Sequence, residues 1–182
     1  AHVDPATAQN LRQAILDNKK SIIAAILQHD AAWDADWCTG VRPGISLLGV
    51  RSFRGAVTFE LESVMSWHST VAAVRDLPKG WPTGYGGLRR AERDCTIAVV
   101  PVGDHDGFPR ALSDHAEVLV GGRLAQVVGA ISMDLTLVDI TGIPGISAGA
   151  SVVLLGSSDE PGAKSIGAEE MAQQAGSIAH EV

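Results

Sequence analysis

From about Thr39 onward apolar and polar residues alternate in short runs: "AVTFELESVMSWHSTVAAVRDL", "DCTIAVVPV", "AEVLVGGRLAQVVGAISMDLTLVDI" and "GASVVLLG". β-Branched residues fill these runs, and Gly, Pro, Asp and Ser punctuate them. That is the pattern of short strands joined by tight turns, and it predicts a mainly β fold, a compact barrel or sandwich. Within it "VLVGGRLAQVVG" predicts a hairpin, with Gly121 and Gly122 taking the positive φ of a two-residue turn. The stretch "GAISMDLTLVDIT", Gly129 to Thr141, predicts a strand. Ile131, Met133, Leu135 and Leu137 fall on one parity, Ser132, Asp134 and Thr136 on the other, so one face is expected buried and the other polar.

Both ends of the chain depart from this period. Asp4-Pro5 offers a cap and a first-turn proline, after which Leu11, Ile15, Ile22 and Ile26 share one stripe of a 3.6-residue helix. Arg12, Lys19 and Lys20 lie largely off that stripe. A helix of this length is marginal alone, so it is expected to pack on its own chain, its own oligomer or a partner. Residues 1–38 then read as a helical appendage and 39–182 as the β-domain. At the other end "GAEEMAQQAGSI" predicts a short helix stopped at Gly176.

Composition bounds the function. With 46% hydrophobic residues over 182 positions there is enough apolar material for one domain and an appendage, and aromatics at 4% leave Val, Ile, Leu and Ala to fill the core. The net charge of −7 argues against nucleic acid as a partner. Cys38 and Cys95 are far apart, in no metal-type spacing, and read as reduced thiols of a cytosolic protein. No apolar run approaches the roughly 18 residues that span a bilayer. The start "AHVDPATAQNLRQ" has neither the basic end nor the apolar run of a signal peptide. The expectation is a cytoplasmic protein with no membrane partner.

Three segments could carry chemistry. Tyr85, the single tyrosine, stands in "WPTGYGG", where flanking glycines let the backbone bend and project the phenol; equally, it is a tyrosine in a loop. Phenols ionise near pH 10, so a tyrosine acting as a base at neutral pH needs a nearby cation, with Arg42, Arg89, Arg90 and Arg110 as possible sources. In "VRPGISLLG" the amides of Gly44 and Ile45 follow a proline and could hold an anion such as a phosphate, or simply turn the chain into a strand. In "PVGDHDGFPRALS", Asp104, His105 and Asp106 crowd together with His115 further on. Three adjacent residues cannot all converge on one ion from a regular strand, and no metal is expected.

Taken in order, "VRPGISLLG", "TGYGG", "PVGDHDGFPR", "GAISMDLTLVDIT" and "AGSIAHEV" resemble the C-terminal β-domain of bacterial alanine racemases. That family runs "VRPGI-LYG", "VGYG", "PVGYADGYPR", "GR-SMD---VD-T" and "AGTI-YEV". The resemblance covers roughly residues 39–182. It implies pyridoxal phosphate as cofactor and interconversion of L- and D-alanine, or a similar small amino acid, to supply cell-wall precursor. It implies that Tyr85 is one of two acid–base groups, opposed across the substrate by a lysine that also attaches the cofactor. Tyr85 and Met133 would reach into a neighbouring subunit's site. Arg42 would face the pyridine nitrogen and, being always protonated, keep that nitrogen unprotonated. Gly44 and Ile45 would offer their amides to the phosphate.

Two departures stand out. Asp104 replaces a family tyrosine and puts negative charge near the substrate entrance. His180 replaces the tyrosine that touches the phosphate, where an imidazole can still donate. The family's N-terminal (β/α)8 barrel and its "K-A-x-A-Y-G" lysine have no match here; Lys19, Lys20, Lys79 and Lys164 all lack that context. The expectation is therefore a protein that contributes the tyrosine half of a composite site, inactive alone, as a homo-oligomer or with a partner chain bearing the barrel. The alternative is a non-catalytic dimerisation or binding module derived from such a domain, which Asp104 and His180 would suit. Exposed apolar surface where the barrel would pack implies a dimer or larger.

Overall fold

Glycine and proline cut the second half of the chain into runs a few residues long, and each run must find a neighbour to satisfy its backbone groups. The structure, a computed structural model, describes residues 9–10, 12–20, 44–50, 61–87, 89–158, 162 and 164–182. The chain divides into two compact units, Ala1–Met65 and Ser66–Val182.

The second unit begins with β1 (Trp67–Thr70), β2 (Ala73–Leu77) and a small hairpin of β3 (Pro82–Thr83) and β4 (Arg89–Arg90). It continues through β5 (Cys95–Val100), β6 (Glu117–Val120), β7 (Arg123–Val127), β8 (Thr136–Asp139), β9 (Ser151–Ser157) and β10 (Ser165–Ile166). Apart from the β3–β4 hairpin these strands form one sheet, in the order β1-β9-β6-β7-β8-β5-β2, with β10 added to β9. Every pairing is antiparallel.

The two ends of that order, β1 and β2, are consecutive in sequence. The Val71 amide donates to Ala150 O at 2.9 Å, and the next amide, Ala72, donates to Val99 O at 2.8 Å. One stretch of chain thus leaves the edge of β9 and joins the edge of β5 within a single residue step. The sheet curls until its two end strands meet in one stretch of chain, giving the mainly β, barrel-like fold that the alternating runs predict. In β9, Val152, Val153, Leu154 and Leu155 are all buried, so both faces of that strand are covered. Val118, Leu119 and Val120 of β6 lie beside them in the same core. Met171 and Ala172 of the C-terminal helix (Ala168–Gln174) are buried over β9. Phe108, wholly buried, meets Trp67 edge to face at 6.0 Å.

Two local expectations hold in detail. Val120 pairs with Arg123 across Gly121 (φ 55°) and Gly122 (φ 73°), a two-residue turn with both central residues left-handed. The C-terminal helix ends before Gly176 (φ 67°), and the Ser177 amide donates back to Ala172 O at 2.8 Å.

The reading of 129–141 as one continuous strand is overturned. Ser132 folds the chain into a turn: its amide donates to Leu135 O at 3.0 Å, and its hydroxyl accepts from the Leu135 amide at 2.9 Å. Pairing begins only at Thr136, on the opposite parity. Thr136, Val138 and Ile140 are buried, while Met133 and Leu135 are 56% and 45% exposed. The hydroxyl of Thr136 is accommodated in the core by donating to Val102 O at 2.7 Å. A turn of this kind shifts the register by one, and a one-residue shift moves every side chain to the other face.

In the first unit residues 12–20 are helical, and Asn18 is its buried anchor at 2% exposure. Its side-chain amide donates to Leu47 O and Glu62 O, and its Oδ1 accepts from the Glu62 amide at 2.9 Å. The helix is therefore tied to its own chain. A 3-10 turn occupies Gly44–Leu48. Leu11, Ile22, Ile26, Cys38 and Arg42 lie outside the described residues. Among the described residues no helix is long and apolar enough to cross a membrane.

Candidate functional site

Tyr85 owes its position to a crossing of two backbones. Gly84 (φ 69°) lies against Gly129 (φ 75°), so close that a Cβ on Gly84 would stand 2.7 Å from the Gly129 carbonyl carbon and nearer still to the Ala130 amide. Only glycine permits this approach at a left-handed backbone. The Tyr85 amide then donates to Ala130 O at 3.1 Å, and the phenol projects outward, 64% exposed.

From Ala130 the chain enters the turn that carries Met133. Ser132 O accepts from the Asp104 amide at 2.9 Å, and Met133 O accepts from the His105 amide at 3.0 Å. The segment 103–110 is thereby fixed on the Met133 turn. Asp106 closes its own 3-10 turn by accepting from the Gly103 amide at 2.9 Å, and Asp104 Oδ1 accepts from the Arg110 amide at 3.0 Å. The guanidinium of Arg110 returns to the start of the circuit, its Cζ 5.7 Å from the centroid of the Tyr85 ring. Of the cations weighed for Tyr85 that lie among the described residues, Arg89, Arg90 and Arg110, it is Arg110 that is found over its ring. Tyr85 and Met133 thus stand on one lip, joined by a closed circuit of short contacts.

The remaining candidates lie elsewhere. Gly44 and Ile45 open the 3-10 turn of the first unit. The leading amides of such a turn have no partner within it, Gly44 is at φ 57°, and nothing lies within 4 Å of where its Cβ would be. The Gly44 backbone is therefore open on that side. His180 is exposed after the C-terminal helix; among the described residues no hydrogen bond or ring contact joins it to Tyr85 or Met133. Asp104, Asp106 and His115, weighed as ligands, have structural partners. Asp104 and Asp106 hold backbone amides, and the ring nitrogens of His115 lie 2.8 Å from Ser113 O and 2.9 Å from Gln174 O.

Sequence reasoning missed two supports of the lip. Asp114 sits at φ 67°, the one non-glycine with positive φ among the described residues. Its Oδ1 accepts from the Gly129 amide at 2.5 Å, and its Oδ2 pairs with Arg89 Nε at 2.9 Å. Ser113 Oγ accepts from the Ile131 amide at 3.0 Å while donating to Arg110 O at 2.6 Å. The available signal was weak: Asp tolerates a left-handed backbone better than most residues, but nothing marks this Asp among the others. Cys95 lies beyond the lip, its thiol pushed up from the ordinary value by burial and then by the neighbouring Asp139 carboxylate.

Comparison with known proteins places these features in a family. The family model described as the alanine racemase C-terminal domain matches residues 64–182. The alanine racemase of Sorangium cellulosum is 43% identical over 143 residues, which is 78% of this chain and 38% of that protein. The alanine racemase structure from Streptomyces coelicolor superposes with a TM-score of 0.69 at 36% identity, covering 78% of this chain and 37% of that one. That from Bartonella henselae, with covalently bound pyridoxal phosphate, gives 0.65 at 29% identity, covering 76% and 36%. The chain spans well under half the length of these relatives. Its barrel, its closing strand and the motifs on its lip make it a member of the alanine racemase family, with the C-terminal domain of that family over residues 64–182.

Proposed function

We propose that this domain supplies the tyrosine side of a racemase site acting on alanine or a similar small amino acid, completed by a barrel half that bears pyridoxal phosphate. The observation that carries the proposal is the lip itself. Tyr85 and Met133 come from separate loops, are locked to each other through Ala130, Asp104 and Arg110, and still expose their side chains. A core would bury them; a wall of a composite site needs them presented.

Racemisation at the α-carbon needs one group to take a proton on one face and another to return it on the other. Tyr85 Oη serves one face, and a base on the barrel half serves the other. Met133 lines the wall beside the substrate. By the family resemblance, Gly44, Ile45 and His180 would hold the phosphate of pyridoxal phosphate, the first two through backbone amides, and Arg42 would hold its pyridine ring. When bound, pyridoxal phosphate would supply the electron sink for the charge left at the α-carbon. Assembly with a second copy or a barrel-bearing chain follows from the same reading.

The test is D-alanine formation from L-alanine with pyridoxal phosphate, by the chain alone and mixed with a separately made barrel half carrying the lysine. Activity is expected only in the mixture, and Tyr85→Phe should lower it by at least about a hundredfold. A folded mixture with no activity would favour a non-catalytic binding module instead.

A further inference from the structure

We infer that Arg110 is a positioning residue for Tyr85, holding the phenol in one orientation from a base tied through Ser113 to Ile131, the residue next to the Ala130 carbonyl that anchors the tyrosine. The consequence for catalysis rests on the proposed role of Tyr85; the contact itself does not.

Tyr85 lacks the usual means of fixing a side chain. Gly84, Gly86 and Gly87 surround it, all at positive φ, and it is 64% exposed, so no wall of neighbours selects one staggered well. Its backbone is held through Ala130 O, and that bond places the Cα without choosing a rotamer. The one ring contact it makes among the described residues is the Arg110 guanidinium at 5.7 Å from the centroid.

Arg110, by contrast, is anchored at both backbone ends. Its amide donates to Asp104 Oδ1 at 3.0 Å. Its carbonyl accepts from the Ser113 hydroxyl at 2.6 Å and the Ser113 amide at 3.1 Å. The same hydroxyl accepts from the amide of Ile131, a residue 1% exposed and next to the Ala130 carbonyl that holds Tyr85. Two residues later Leu112 is wholly buried. Arg110 and Tyr85 are thus referred to one rigid point, Ala130–Ile131, and the guanidinium closes the triangle over the ring. A cation–π contact at an exposed site shifts the ratio between two rotamers by about two- to fivefold.

The chain has a single tyrosine, so tyrosine labelled at Cα, Cβ and the ring reports on Tyr85 alone by NMR. In the unmodified chain the Arg110 Cδ protons should be shifted upfield by the ring, and the Tyr85 couplings should show one dominant χ1 well. Arg110→Met keeps the backbone bonds to Asp104 and Ser113, so the fold should persist. It should lower the ratio of the dominant χ1 well to the others about two- to fivefold while the Ala130 and Ile131 amides keep their shifts. Arg110→Lys, which retains charge without the planar stack, should fall between. Unchanged couplings in Arg110→Met overturn the inference, as does disorder of Tyr85 that appears only together with movement of the Ala130 and Ile131 amides. Loss of Tyr85 order with undiminished racemisation in the completed mixture would leave the positioning intact and count instead against Tyr85 as the acid–base group.

Discussion

The barrel wall and the lip above it are built on different principles. In β6 and β9 consecutive Val and Leu residues are buried on both faces, and position is set by packing, which is insensitive to direction and sums over many small contacts. On the lip Tyr85, Met133 and Asp104 are exposed, and position is set by a few directed bonds: amides onto Ala130 O, Ser132 O and Met133 O, and two carboxylates, Asp104 and Asp114, onto Arg110 and Gly129 amides. Apolar burial can place a strand, but it cannot hold a polar side chain out in water at a chosen angle. Directed bonds can, provided glycine lets the backbones meet.

That contrast can be broken most severely at the one side chain that serves both regions. Phe108 belongs to the lip segment 103–110 by sequence and to the core by burial, against Trp67. Phe108→Ala should cost about 3–5 kcal/mol, read as a lower urea midpoint, and should release the segment that holds Arg110. Next comes Gly84→Ala, which adds a clash with the Gly129–Ala130 backbone to the cost of a left-handed alanine, about 2–4 kcal/mol in all. Gly80→Ala is its control: φ is 83°, nothing lies within 4 Å, and only the backbone term of about 1–2 kcal/mol applies. Equal losses at the two glycines would show that the crossing is not tight. Thr136→Val removes the hydroxyl that reaches Val102 O in the core and should cost about 1–3 kcal/mol by the same unfolding measurement.

The smallest effect concerns Cys95. Burial and Asp139 favour its neutral thiol in the fold, so the unfolded chain ionises first as pH rises. This contribution to stability is present below the ordinary thiol range and declines as pH climbs through it. Alkylation followed at the Cys95 peptide should be slower in the folded chain than in urea at pH 8. A faster folded rate would reverse the sign.

What could be read beforehand divides along the same line. The Gly121–Gly122 turn and the stop at Gly176 were legible because a positive φ at a predictable place has a compositional mark. The strand at 129–141 was misread because Ile131, Met133, Leu135 and Leu137 keep perfect alternation through a turn, and periodicity cannot see Ser132 bonding to Leu135. The outward projection of Tyr85 was legible from its flanking glycines, while its companion was not, since choosing Arg110 over Arg89 or Arg90 requires knowing which loops meet. Asp104 read as a charge introduced at an entrance. The fold also uses it as a backbone acceptor for Arg110, a role no spacing discloses.

The seam at Val71–Ala72 has a consequence in time rather than in space. Two adjacent amides close the barrel, one onto residue 150 and the other onto residue 99. Neither can form until distant parts of the chain have been brought together. Such non-local closure makes folding slow for a domain of this size, because chain entropy is lost before the contacts that compensate for it exist. Until the seam is made, β9 and β5 present open edges to any neighbouring chain. The step that completes the ring is therefore also the step that ends the interval in which nascent copies can pair with one another.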